Sequence, residues 1–146
     1  MKIKFELKPH LTETEVTITS AVKNDEVKRI VDALKHLNRD VVGQKGQEKI
    51  ILKLVDILYF ESVDDKVFAY TAQAAIEIKS RLYELEALSA PFRFARISIS
   101  KILNLNAIVA FKSSLNGRME ARLINDEWIE ISRSFVPALK QQLGGQ

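Results

Sequence analysis

Hydrophobic and polar positions change period along this chain, and each change marks an element. In residues 2–8 the apolar Ile3, Phe5 and Leu7 alternate with charged residues, and Val16 and Ile18 alternate in the same way within residues 15–20. Period two predicts half-buried strands. The period then lengthens. Asn24 suits an N-cap, Asp25 and Glu26 suit the positive end of a helix, and Val27, Ile30, Val31, Leu34 and Leu37 recur at helical spacing before Asn38. The segment reads as strand, strand and amphipathic helix. It is too small to fold well alone. Its apolar stripe must dock on the rest of the chain or on a second copy, and the pattern leaves both open.

Residues 43–47 (Gly-Gln-Lys-Gly-Gln) read as a polar hinge. It divides the chain into an N-terminal unit, residues 1–42, and a main domain, residues 43–146. Strand-type runs follow at 49–54, 56–62, 66–71 and 74–79. Residues 80–90 form a helical pattern, with Leu82, Leu85 and Leu88 on one side and Pro91 as a stop. Asn116-Gly117 is a type I′ turn signal between runs 107–114 and 118–124, and Asn125-Asp126 leads into 127–131. A last helix is predicted over 134–143, with Pro137 in its first turn and Gly144 as its cap. The chain is thus mainly β with short helices.

Composition narrows the chemistry. At 47% hydrophobic and 28% charged residues the chain can bury a core. It has no cysteine, which excludes disulfides, thiolate metal sites and cysteine nucleophiles. No apolar run approaches the roughly 18 residues of a membrane helix. Charge alternates too closely at the N-terminus for a signal peptide, so a cytoplasmic protein is expected. His10, in a loop, and His36, on the polar side of the first helix, read as exposed structural residues. Glu61, Asp64 and Asp65 read as a polar turn rather than a metal site. Gly43, Gly46 and Gly117 fit no nucleotide-binding fingerprint. No enzyme activity, metal, cofactor or small-molecule substrate is expected.

Charge adds a direction. The net charge is only +3, yet no acid occurs between Glu86 and Glu120, a window that holds Arg93, Arg96, Lys101, Lys112 and Arg118. Within it Arg96, Ser98 and Ser100 would share one face of an extended segment, Ile97 and Ile99 would face the core, and Lys101 would open a helical turn. Cations beside hydroxyls suit a polyanion. Tyr59, Phe60, Phe68 and Tyr70 read as core aromatics rather than base-stacking platforms. Neither helix suits a major groove: one carries Glu84 and Glu86, and the other only Lys140. Contacts from loops are therefore expected.

Several blocks in order, Asp56-Ile-Leu-Tyr-Phe-Glu-Ser62, Leu82-Tyr-Glu-Leu-Glu86, Phe94-Ala-Arg-Ile-Ser-Ile-Ser100, Leu103-Asn-Leu-Asn-Ala-Ile108 and Ile131-Ser-Arg-Ser-Phe-Val-Pro-Ala-Leu-Lys140, resemble the LytTR family of bacterial DNA-binding domains. The resemblance implies an elongated sandwich of small β-sheets that reaches successive major grooves through loops and bends the duplex. It implies DNA contacts from three loops, carried by Lys66, by Arg96, Ser98, Ser100 and Lys101, and by Arg133 and Ser134. Family members often carry His or Lys near Ser98 and Ile99, so the departure at Ile99 moves the expected contact to its neighbours. Asn104 reads as a structural cap. Residues 1–42 are too few for the receiver domain many members carry, which implies a stand-alone transcriptional regulator. It would act as a homodimer on tandem half-sites, with Val27, Ile30, Val31, Leu34 and Leu37 as the dimer stripe. Short members of the family are often found near small membrane proteins that restrain them, which suggests such a partner. The rival reading is a protein-interaction adaptor that keeps the fold and has lost DNA contacts.

Overall fold

The computed structural model describes residues 1–36 and 39–144, apart from the His36 side chain. Helix α1 spans Asp25–His36. It starts where Asn24 predicts, with the Val27 amide donating to Asn24 Oδ1 at 3.0 Å. Leu37, Asn38 and the expected setting of the His36 side chain lie outside the described residues. The two expected N-terminal strands do not form: residues 2–8 and 15–20 join no ladder, and Phe5 and Leu7 are more than 90% exposed. The physical reason is that period two supplies one apolar face but no partner, and a strand is held by the ladder on its neighbour.

The main body begins at β1 (Asp40–Lys45), which pairs antiparallel with β2 (Glu48–Lys53). The expected hinge is therefore a hairpin. Gly46 turns it at φ +61, while Gly43 lies inside β1 and lets Ile76 and the Glu77 carbonyl approach closely. The expected boundary at residues 42–43 falls within that strand. Then come β3 (Tyr59–Val63), β4 (Lys66–Tyr70), β5 (Ala75–Ile78), α2 (Leu82–Ser89), β6 (Phe94–Arg96) and β7 (Lys101–Asn104). Strands β8 (Ile108–Ser113), β9 (Met119–Leu123) and β10 (Trp128–Ile131) and helix α3 (Val136–Gln142) complete the fold. The first seven strands form one antiparallel sheet in the order β2-β1-β5-β4-β3-β7-β6, and the last three form a second in the order β10-β9-β8.

Strands β3 and β7 lie at the centre of three layers. Phe60 and Ile102, cross-strand partners, point into a core shared with Leu82 and Leu85 of α2. Their neighbours Tyr59 and Leu103 point the other way, into a core with Met119, Leu123 and Ile131 of the small sheet and Leu139 of α3. Burial of such a side chain stabilises by about 1.5–3 kcal/mol. The mainly β chain with short helices expected from the pattern, and the layered sheets implied by the resemblance, are thus observed. The turns follow their residues: Asn116 and Gly117 both have positive φ, as a type I′ turn requires, and so do Asp64 and Asp65 between β3 and β4.

Candidate nucleic-acid interface

Three loops expected to act together are joined in series. The first is the β3–β4 turn, ending at the exposed Lys66. The second is the β6–β7 loop, residues 97–100. The third is the turn of Arg133–Phe135 that precedes α3. Two backbone hydrogen bonds tie them: the Ser62 amide donates to the Ser100 carbonyl at 2.8 Å, and the Ser132 amide donates to the Ile97 carbonyl at 2.9 Å. The central loop thus has a fixed neighbour on either side.

Its interior differs from the extended segment expected. Antiparallel pairing of Arg96 with Ile102 makes residues 97–101 a hairpin connection, so alternation breaks down. The Ile97 amide donates to the Lys101 carbonyl at 3.0 Å, and Lys101 opens strand β7 rather than a helical turn. Ile97 is fully buried, but Ile99 is 88% exposed rather than facing the core. Ser98 Oγ accepts from the Ser100 amide at 3.3 Å, which uses the hydroxyl to shape the loop.

Four of the five cations of the acid-free window are engaged by acids from outside it, and Arg93 by an amide and a carbonyl. Arg96 pairs with Glu86 at 2.9 Å and also donates to the Ile99 carbonyl. Lys101 lies 3.6 Å from Glu61, its cross-strand neighbour, and 5.9 Å from the centre of the Tyr59 ring. Lys112 lies 3.7 Å from Glu120 and 4.6 Å over the Trp128 ring. Arg118 pairs with Glu130 at 3.1 Å. Arg93 donates to Asn106 Oδ1 and to the Gln142 carbonyl, which joins the end of β6 to α3. By contrast Lys66 and Arg133 are exposed and carry no ion pair among the described residues.

A groove of about 920 Å³ brings Lys66, Arg96 and Ser100 together and adds Lys79, Arg81 and the exposed Tyr83. Sequence reasoning passed over these last three. The capping pattern of α2 was the available signal: Glu84 Oε1 accepts from the Arg81 amide at 2.9 Å, fixing Arg81 at the helix start. Arg133 and Ser134 lie outside the groove lining and join the series through Ser132. The stem of Arg133 packs on Gly117 at the β8–β9 turn, a contact no local pattern announces.

Around this surface the polar core is closed. Asn104 donates to the Ile57 carbonyl at 2.9 Å and accepts from the Asn106 amide at 3.0 Å, the structural cap its sequence position suggests. The Tyr59 hydroxyl donates to Glu127 at 2.9 Å. Burial above all, then that hydrogen bond, holds the Tyr59 hydroxyl well above its ordinary pKa. Among the described residues no group of acids and histidines is placed to hold a metal ion, and no helix is long and apolar enough to cross a membrane.

The profile of the LytTr DNA-binding domain matches residues 47–144. The chain belongs to the LytTr DNA-binding domain family. Two relatives from Staphylococcus aureus, of strains MRSA252 and NCTC 8325 / PS 47, are each described as an uncharacterized HTH-type transcriptional regulator. Each is 30% identical over 145 residues, covering 98% of both chains. The LytTr DNA-binding domain of a putative methyl-accepting/DNA response regulator from Bacillus cereus superposes with a TM-score of 0.67 at 24% identity, over 72% of this chain and 96% of that one. The LytTr fold here contains no helix-turn-helix among its described residues: strands separate α1, α2 and α3.

Proposed function

We propose that this LytTr protein is a cytoplasmic transcriptional regulator that binds double-stranded DNA in a sequence-specific way through its three joined loops. The observation that carries this reading is the pair of backbone hydrogen bonds that join the loops of Lys66, residues 97–100 and Arg133 in series, with Lys66 and Arg133 free of ion pairs among the described residues. Arg133 and Ser134 enter the major groove of the DNA, with Arg133 as the principal base reader, while Lys66 holds a phosphate. Arg96, Ser98, Ser100 and Lys101 act chiefly by shaping and bracing the central loop, because Arg96 and Lys101 face acids and the Ser98 oxygen and the Ser100 backbone are bonded within the loop and to β3. A mobility-shift experiment on DNA upstream of the protein's own gene, with salt titration, tests this. Specific retardation that weakens steeply with salt is expected, and Arg133→Ala and Lys66→Ala should weaken it without lowering thermal stability. Retardation that is absent or insensitive to salt refutes the reading. It would favour the adaptor alternative, for which the internal pairing of the window cations argues.

The dimer forms through α1. Val27, Ile30, Val31 and Leu34 share a stripe and remain partly exposed, with Leu37 continuing the spacing. Charge favours an antiparallel helix pair, since Asp25 and Glu26 of one copy then face Lys35 of the other. Two copies held in this way fit tandem half-sites. Light scattering should give twice the chain mass for the wild type and the single mass for Val31→Glu. A wild-type monomer at high concentration refutes it.

A further inference from the structure

We infer that Ile99 is a base-reading residue that takes the methyl group of a thymine in the major groove. The inference rests on the proposed DNA-binding surface and assigns that surface a specificity it otherwise lacks. Ile99 is the most exposed residue of the central loop at 88%, while Ile97, two positions earlier, is fully buried. An exposed isoleucine on a loose loop needs no explanation. This one is held on a braced loop. Arg96 donates to its carbonyl and is itself fixed by Glu86 at 2.9 Å. Ser98 caps the Ser100 amide, and the loop is tied to β3 through Ser62 and to the Arg133 turn through Ser132.

The bracing engages Arg96, the Ser98 oxygen and the Ser100 backbone, and leaves the Ile99 hydrocarbon as the most exposed group of the loop. The half-buried Ser98 and Ser100 side chains are shorter and less exposed than Ile99, which is therefore the first side chain of the loop to meet a base edge. An apolar side chain at a groove floor recognises the thymine C5-methyl, which only that base presents. The flanking Lys66 and Arg133 supply the phosphate and polar contacts that hold the loop in register. Because the Ile99 side chain touches solvent, its removal costs the fold little, so its effect is read on DNA alone.

The test begins with sites selected by the wild-type protein from random duplexes. Each selected thymine is then replaced by uracil, which deletes only the methyl group. At one position the replacement should weaken wild-type binding about fourfold, the worth of one buried methyl-sized group. Ile99→Ala should show the same loss on the thymine site and no further loss on the uracil site. Its thermal stability should match the wild type. If a site is selected but no uracil weakens binding, or the loss persists in Ile99→Ala, the inference is overturned and the DNA-binding reading stands. If the wild type selects no sequence at all, both fall.

Discussion

Replacing Gly117 with alanine separates the role of Arg133 from the stability of the domain. Gly117 lies at the β8–β9 turn with φ +75, where an L residue with a Cβ costs about 1–2 kcal/mol. The new Cβ would fall 2.9 Å from both Cγ and Cδ of Arg133, well inside the roughly 3.5–4.0 Å of ordinary carbon contact. Those atoms are mid-stem, so the guanidinium must swing with them. Gly46 supplies a matched control: its φ is +61, and an added Cβ would meet nothing within 4 Å. Both alanine variants should therefore lose about 1–2 kcal/mol in urea denaturation. Only Gly117→Ala should lose specific DNA binding in fluorescence anisotropy. The loss is bounded by the worth of one bidentate arginine contact, about 1–3 kcal/mol. Combined with Arg133→Ala, it should add nothing to the loss from Arg133→Ala alone. Equal binding by the Gly117 and Gly46 variants would refute the coupling of the turn to Arg133.

Two further expectations concern the polar core. Asn104→Ala leaves the Ile57 carbonyl without its side-chain partner and should cost about 1–3 kcal/mol in urea denaturation; a change within error would show that the cap is dispensable. The Tyr59 pKa is raised in the folded state from an ordinary 10.0, so its contribution to stability is complete below that pH and is lost as pH rises through the folded value. The urea midpoint should fall above pH 10 more steeply for the wild type than for Tyr59→Phe, and parallel curves would contradict the assignment.

The legible parts of the fold were those decided by local chemistry. Asn24 caps α1, Asn116-Gly117 turns the β8–β9 hairpin, and Pro137 and Gly144 bracket α3, because caps and turns depend on neighbours in sequence. Residues 2–8 and 15–20 misled for the converse reason: period two states which face a strand would bury, not whether a partner exists. Residues 43–47 misled because Gly and polar residues mark hairpins and hinges alike. At the proposed site, Arg133 lies within one of the family blocks and Lys66 in the turn that follows another. The reversal at Ile99 was not legible, since it depends on the register of β6 against β7, a nonlocal quantity. Gly117 against Arg133 is likewise a contact between separate hairpins.

The same nonlocality decides how much positive charge the surface offers DNA. A stretch without acids in sequence is not a surface without acids, because antiparallel registers set Glu61 opposite Lys101 and Glu120 opposite Lys112. A cation already beside a carboxylate brings little net charge to a phosphate and must leave its partner to bind one. Among the described residues, the cations of the groove and third loop without an ion pair are Lys66, Arg81 and Arg133. With Lys66 and Arg81 on phosphates and Arg133 on a base edge, binding gives a salt slope of about −2 per protomer, taking about 0.9 counterion per neutralised phosphate. If Arg96 and Lys101 took part as well, the slope would steepen to about −4 on the same relation. Anisotropy across a range of KCl concentrations distinguishes the two, and the steeper value would mean that DNA opens the Glu61 and Glu86 pairs. Lys112→Ala sharpens the reading: with its ammonium held by Glu120 and the Trp128 ring, its loss should leave the slope unchanged.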